Sequence, residues 1–162
     1  MPDQQAAIRT AATAEDVAQA RALFQEYAEW LAVDLCFQGF AQELATLPGA
    51  YAPPRGMLLL AGRETDAVGC IALRPLAGTS QATVAEVKRL YVRPVARGTG
   101  LGRRLVESVI DGARAIGYRE LKLDTLERMV DAQALYARLG FRECAQYYPN
   151  PLAGTVYMTL AL

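Results

Sequence analysis

The sequence predicts an α+β domain organised around one sheet. Two periodicities alternate along the chain: apolar residues recur at helical spacing in some segments, and short β-rich runs bounded by Gly, Pro or Asn lie between them. The 162 residues suit one domain on a prior of about 150 residues each, and 52% hydrophobic with 21% charged residues is a globular composition. Residues 1–162 are therefore read as a single domain.

Ala6 to Ala11 can form a first strand. A helix starting at Thr13 or Glu15 runs through Leu31, carrying Val17, Ala20, Leu23, Phe24, Tyr27 and Leu31 on one stripe. A second helix covers Gly39 to Leu47, closed by Pro48 and Gly49. An extended YAPPRG segment leads to Met57 to Ala61, a turn over Arg63 to Asp66, and a returning strand at Ala67 to Leu73. After a loop at Gly78 to Thr83 comes the β-rich stretch Val84 to Val92, stopped by Pro94. An amphipathic helix follows from Leu101 to Ile116, with Gly117 as its stop. Leu121 to Asp124 is a strand, Val130 to Leu139 a short helix ended by Gly140, and Phe141 to Cys144 and Thr155 to Leu160 are two last strands across a YYPNP loop.

Composition removes several function classes. Seventeen basic residues balance 17 acidic ones. Charged residues interrupt every apolar run before the roughly 18 residues a spanning helix needs, so no membrane association is expected. The N-terminal segment has no basic stretch followed by an apolar one, which points to a cytoplasmic protein. Cys36, Cys70 and Cys144 form no CxxC pair and are read as small buried thiols, with no metal site. The chain has no histidine. Ser-His-Asp and Cys-His nucleophile systems, imidazole-ligated zinc and histidine bases are thereby excluded, leaving carboxylates, Tyr, Lys, Cys and backbone dipoles.

Against zero net charge, Lys88, Arg89, Arg93, Arg97, Arg103 and Arg104 follow one another with no acidic residue between them. The same stretch runs from strand through Gly98, Gly100 and Gly102 into a helix start. Glycines let backbone approach a ligand, and the first helical turn offers unpaired N–H groups at the positive end of its dipole. These are the requirements of a phosphate cradle. Neither the P-loop string nor the dinucleotide fingerprint GxGxxG occurs, so another phosphate-bearing ligand is implied.

Arg97-Gly98-Thr99-Gly100-Leu101-Gly102 resembles the Q/R-x-x-G-x-G signature of the GNAT superfamily of N-acetyltransferases, with the strand AEVKRLYV before it and a helix after it. A second block, AQALYARLGF at 132–141, is similar to the family's AxxLYxxLGF segment. The resemblance spans about residues 85–141 and implies a GNAT-like mixed, mostly antiparallel central sheet flanked by about four helices. It further implies acetyl-CoA as cosubstrate and an amine acceptor, with no metal. The amides of Gly98, Thr99, Gly100, Leu101, Gly102 and Arg103 would hold the pyrophosphate, and Arg97 would add charge. The backbone of Leu90, Tyr91 and Val92 would pair with the pantetheine arm, and the Leu90 N–H would face the thioester carbonyl. Relatives often carry Asn seven residues before the helix tyrosine; here that position is Met129.

Transfer to an amine of pKa about 10.4 needs a base, and the departing thiolate benefits from an acid. Glu86 is the candidate base, expected by strand alternation to share a face with Lys88 and Leu90; the competing account is an ion pair with Lys88 or Arg89. The resemblance assigns the acid to Tyr136, against the alternative of simple core packing. Tyr27, Trp30, Phe37, Phe40, Tyr147 and Tyr148 could wall an acceptor pocket, and Asp34, Glu43 or Asp124 could attract a cationic amine. The reading is thus an enzyme transferring acetyl to a primary amine of a small molecule or peptide, with a non-catalytic acyl-CoA-binding sensor module as the alternative. Zero net charge and no clustered stacking surface argue against a nucleic-acid partner. An exposed C-terminal strand over Thr155 to Leu160 would allow a homodimer.

Overall fold

The structure is a computed structural model and describes residues 5–76 and 82–162; residues 78–81 of the expected Gly78 to Thr83 loop lie outside them. Thr13 caps the first helix, α1 (Ala14–Leu31), in a capping box with Asp16. The short strand β1 (Ile8–Thr10) precedes it, and α2 (Phe40–Thr46) begins at Gly39, whose φ of 68° suits glycine. A hairpin of β2 (Met57–Arg63) and β3 (Asp66–Pro75) turns where Arg63 pairs with Asp66, as the sequence suggests. Then come β4 (Val84–Val92), α3 (Leu101–Ile116), β5 (Glu120–Leu126), α4 (Val130–Arg138), β6 (Arg142–Glu143) and β7 (Thr155–Ala161).

Among the described residues the strands form one seven-stranded sheet in the order β1-β2-β3-β4-β5-β7-β6. Every neighbouring pair is antiparallel except β4 and β5, which α3 connects as a parallel crossover. The expected mixed, mostly antiparallel α+β architecture with four helices is therefore the observed one.

Alternation along the strands gives the sheet two apolar faces. One packs Ile71, Leu73, Ala85, Val87 and Leu121 against Leu105, Val106 and Val109 of α3. The other packs Leu58, Leu60, Cys70, Ala72 and Tyr91 against Ala20, Leu23 and Phe24 of α1. At about 1.5–3 kcal/mol per fully buried large aliphatic side chain, these two layers dominate the stabilisation.

Two expectations need correction. Only Cys70 is a buried thiol; Cys36 is exposed and Cys144 is half-buried. The C-terminal strand is not a bare edge, because β6 pairs at Arg142 with Thr159 and at Glu143 with Met158, covering the middle of β7. The short β6 folds back there after Gly140, whose φ of 99° ends α4 in a conformation that favours glycine.

Candidate active site

Strand β4 carries the feature that opens the site. Cys70 pairs with Tyr91 and Ala72 with Lys88, so Arg89 and Leu90 both stand against the one residue Ile71. This bulge puts Arg89 at φ 61°, an uncommon conformation for a residue with a side chain. The Arg89 guanidinium locks it, donating to Glu43 Oε2 at 2.8 Å and Oε1 at 3.0 Å with the Phe40 ring 5.1 Å away. The extra residue also resets the alternation. Glu86 and Lys88 lie opposite Arg74 and Ala72 on the α1 side, whereas Leu90 packs with the α3 core, so the expected shared face of Glu86, Lys88 and Leu90 does not exist.

Beyond Glu86 the two parallel strands part. β4 and β5 pair only over Val84–Glu86 and Glu120–Lys122, while β5 stays paired with β7 to Leu126. The edge of β4 from Val87 onward therefore faces a narrow wedge-shaped cleft, lined by Leu31, Leu35, Lys88, Leu90, Asp124 and Tyr136 among others. A larger groove of about 1220 Å³ runs along Leu90, Tyr91 and Val92 to the start of α3. The two hollows share Leu90, Met129 and Ala132, and so meet at the bulge.

The groove has the features of an anion cradle. Gly98 and Gly100 sit at φ 77° and 80°, and a Cβ on either would project into open space. Gly100 caps α3, and the Leu101, Gly102 and Arg103 amides fall in the first turn, where no intrahelical acceptor exists. Thr99 donates its hydroxyl proton to the Ala96 carbonyl at 2.7 Å, leaving its backbone N–H to meet an anion. Arg97 is fixed by its Nε bond to the Val92 carbonyl at 2.8 Å and by stacking 5.0 Å from the Trp30 ring. Arg103, Arg138 and Arg97 face one Asp131 along the lining.

The basic run does not act as one patch. Arg89 pairs with Glu43, Arg93 with Glu26 and Asp66, Lys88 with Asp124, and Arg104 donates to the Ala6 carbonyl. Only Arg97 and Arg103 of the six reach the groove. Partners outside the groove hold the other four. Arg138, two residues after Tyr136, is a contribution the sequence reading missed, and Trp30, expected in the wall of an acceptor pocket, lines the groove, one turn beyond Tyr27 on α1.

Tyr136 lines the cleft, edge-on to Phe141 at 5.6 Å between ring centroids, and among the described residues its hydroxyl has no hydrogen-bond partner. Burial pushes its pKa above the usual phenol value, so the hydroxyl keeps its proton at neutral pH. Glu86 does not line that cleft. It lines an adjoining pocket of about 550 Å³ with Arg74, Tyr147 and Tyr148. Its ion-pair partner is Arg74, at 2.9 Å, instead of Lys88 or Arg89, and Tyr147 donates to its other oxygen at 2.6 Å.

A polar wall connects the two spaces, which share Gln38 and Lys88. Lys88 Nζ donates to Gln38 Oε1 at 3.1 Å and Asp124 Oδ1 at 3.4 Å, and the Tyr148 hydroxyl donates to Asp124 Oδ2 at 2.7 Å. Of the three carboxylates considered for a cationic amine, Asp124 alone lines the cleft: Glu43 is engaged by Arg89, and Asp34 accepts from the Cys36 amide. Among the described residues no group of three or more His, Cys, Asp or Glu could hold a metal ion, and no helix is long and apolar enough to cross a membrane.

Comparison with known proteins agrees with this geometry. Residues 17–141 match the acetyltransferase (GNAT) family. An uncharacterized N-acetyltransferase of Schizosaccharomyces pombe is 40% identical over 149 residues, covering 91% of this chain and 90% of that protein. An IAA acetyltransferase of Azospirillum brasilense is 39% identical over 105 residues, covering 63% of this chain and 67% of its own. Among solved structures, an acetyltransferase from Streptococcus agalactiae matches with a TM-score of 0.79 at 22% identity, over 98% of this chain and 99% of that one. A Salmonella typhimurium protein solved with its cofactor acetyl-CoA matches with a TM-score of 0.68 at 21% identity, over 98% and 94% of the two chains. At such identities the structural likeness is one of fold, but the family match and the full-length relative go further: this chain belongs to the acetyltransferase (GNAT) family and is an N-acetyltransferase.

Proposed function

We propose that this N-acetyltransferase moves an acetyl group from acetyl-CoA to a primary amine of a small molecule or peptide, by direct attack and without a covalent enzyme intermediate. The observation that carries the reading is the meeting of the two hollows at Leu90: a cradle of unpaired amides opens into the cleft holding Tyr136. The residues present suit acetyl-CoA. The amides of Gly98 to Arg103, with Arg97, Arg103 and Arg138, would hold the diphosphate, and the backbone of Leu90 to Val92 would align the pantetheine arm. Acetyl-CoA, when bound, supplies an activated acetyl thioester.

The protein's own groups then divide the work. The Leu90 N–H, at the bulge where the two hollows meet, would stabilise negative charge developing on a carbonyl oxygen. The Tyr136 hydroxyl retains its proton and is the acid that donates it to a leaving thiolate. Glu86 serves as base at one remove. Arg74 and Tyr147 occupy three of its roughly four acceptor positions, and the remaining one takes the acceptor's proton through a water along the Lys88–Gln38 wall.

Calorimetry with acetyl-CoA followed by thiol release with an amine panel tests the reading. Binding with turnover is expected; no affinity for coenzyme A would end it. Glu86→Gln should lower turnover most at low pH with acetyl-CoA binding unchanged, and equal turnover at every pH would remove Glu86 as base.

A further inference from the structure

We infer that the acceptor is a small amine carrying a single positive charge on a compact apolar body, and that its ammonium docks on Asp124 in the wedge between β4 and β5. The inference rests on the acetyl-transfer reading and adds the acceptor's chemical class and the residue that selects it.

The first support is what the cleft places together. Leu31, Leu35, Val87, Leu126 and Leu152 give its wall an aliphatic side, and among the described residues Asp124 is its only carboxylate. Tyr136 stands in the same lining. An amine held at Asp124 therefore shares one enclosure with the candidate acid and the Leu90 amide. Neither Glu86 nor Glu43 lines this space.

The second support is the hydrogen-bond inventory of Asp124. An ionised carboxylate offers about four acceptor positions. Here two donors are present, the Tyr148 hydroxyl at 2.7 Å and the Lys88 ammonium at a long 3.4 Å. Acceptor capacity thus remains, on a side chain that is 13% exposed and held in place by Tyr148. Lys88 is a weak competitor for it. Its ammonium is shared with Gln38 at 3.1 Å, and burial, against the Asp124 and Glu86 carboxylates, lowers its pKa from that of a free lysine.

The third support is charge arithmetic, which limits the acceptor to one charge. Glu86 and Glu43 are taken up by Arg74 and Arg89, so Asp124, reached by Lys88 only at 3.4 Å, is the one carboxylate of the lining that can take an incoming ammonium. No surplus carboxylate is left for a second ammonium, so a polyamine or aminoglycoside would bring unpaired charge against the Leu31, Leu35 and Leu152 wall.

The test uses the full chain with acetyl-CoA and three probes. Monoamines such as butylamine should show kcat/KM at least about tenfold above spermidine or kanamycin. Butyltrimethylammonium, which has the charge but no transferable hydrogen, should inhibit competitively against butylamine, and butanol should not. Asp124→Asn should raise KM for butylamine by about 10- to 100-fold, the usual range for a lost charged hydrogen bond, with KM for acetyl-CoA within twofold. Tyr148→Phe, a milder change on the same carboxylate, should raise the amine KM several-fold. Preference for polyamines would overturn the inference, as would absent competition by butyltrimethylammonium in wild-type enzyme that turns over butylamine. Acetyl-CoA binding without thiol release from any amine would overturn the acetyl-transfer reading itself.

Discussion

Glu43→Gln weakens the interaction that holds the bulge, together with a longer 4.0 Å ion pair to Arg74. The Arg89 side chain is 2% exposed, and among the described residues its two side-chain hydrogen bonds end on the Glu43 carboxylate, at 2.8 and 3.0 Å. Neutralising Glu43 leaves a buried guanidinium without its counter-charge, which costs about 3–5 kcal/mol in comparable buried pairs. The glutamine oxygen still accepts one bond, so about 3 kcal/mol is expected, or roughly a 6–12 °C fall in Tm for a chain of this length. Urea unfolding at pH 7 measures it. The pH profile gives an independent signature. Burial alone would raise the Glu43 pKa, but the Arg89 guanidinium outweighs it and holds the carboxyl below its ordinary value. A lowered folded pKa stabilises fully above the unfolded value near about 4.3 and loses that stabilisation as pH falls through the folded pKa. The gap between wild type and Glu43→Gln should thus be constant above about pH 5.5 and narrow in acid. A difference under about 1 kcal/mol, or one that does not change with pH, would refute the reasoning. Replacing both partners, with Glu43→Leu and Arg89→Met together, should restore most of the stability.

Three further outcomes are expected. Tyr136→Phe should lower kcat by about 100-fold or more with little change in stability or in KM for acetyl-CoA, as loss of a general acid does; steady-state kinetics decides it. Gly100→Ala meets no neighbour but must hold φ near 80°, costing about 1–2 kcal/mol and raising the dissociation constant for coenzyme A by about 5- to 30-fold in calorimetry. Trp30 is the chain's single tryptophan, 46% exposed and lining the groove beside Arg97, so its fluorescence should change on titration with coenzyme A. An unchanged spectrum at saturating ligand would place the diphosphate elsewhere.

How much of this could be read beforehand depended on whether local chemistry or distant packing decides a feature. Helix α3 was legible at both ends because Gly100 and Gly117 take positive φ, which glycine accepts at little cost. Strand β4 was legible from its β-rich run up to Pro94. The bulge inside it was not, since an arginine at φ 61° is imposed by Glu43, 46 residues away, and by nothing in its own neighbourhood. The misreading of the basic run follows, because the directions of Lys88, Arg89 and Leu90 all depend on that extra residue. Tyr147 and Tyr148 were visible as aromatics, but their contacts with Glu86 and Asp124 join residues 61 and 24 positions apart. The glycine turn into α3, by contrast, was readable because it is built from contiguous main-chain groups.

The divergence of β4 from β5 after three paired residues has a consequence for how such an enzyme can change. The proposed diphosphate end is built from residues 90–103 and 129–138 with Trp30, whereas the proposed amine end draws on Leu31 and Leu35, the turn at Gln38, Asp124 and the segment around Tyr148. Because the opening itself is made by main chain, side chains on the amine end can be exchanged without closing it. Selectivity for the nucleophile and affinity for the acyl donor are thus separately tunable, and a library restricted to positions 31, 35, 38, 148 and 152 should redirect the first while sparing the second.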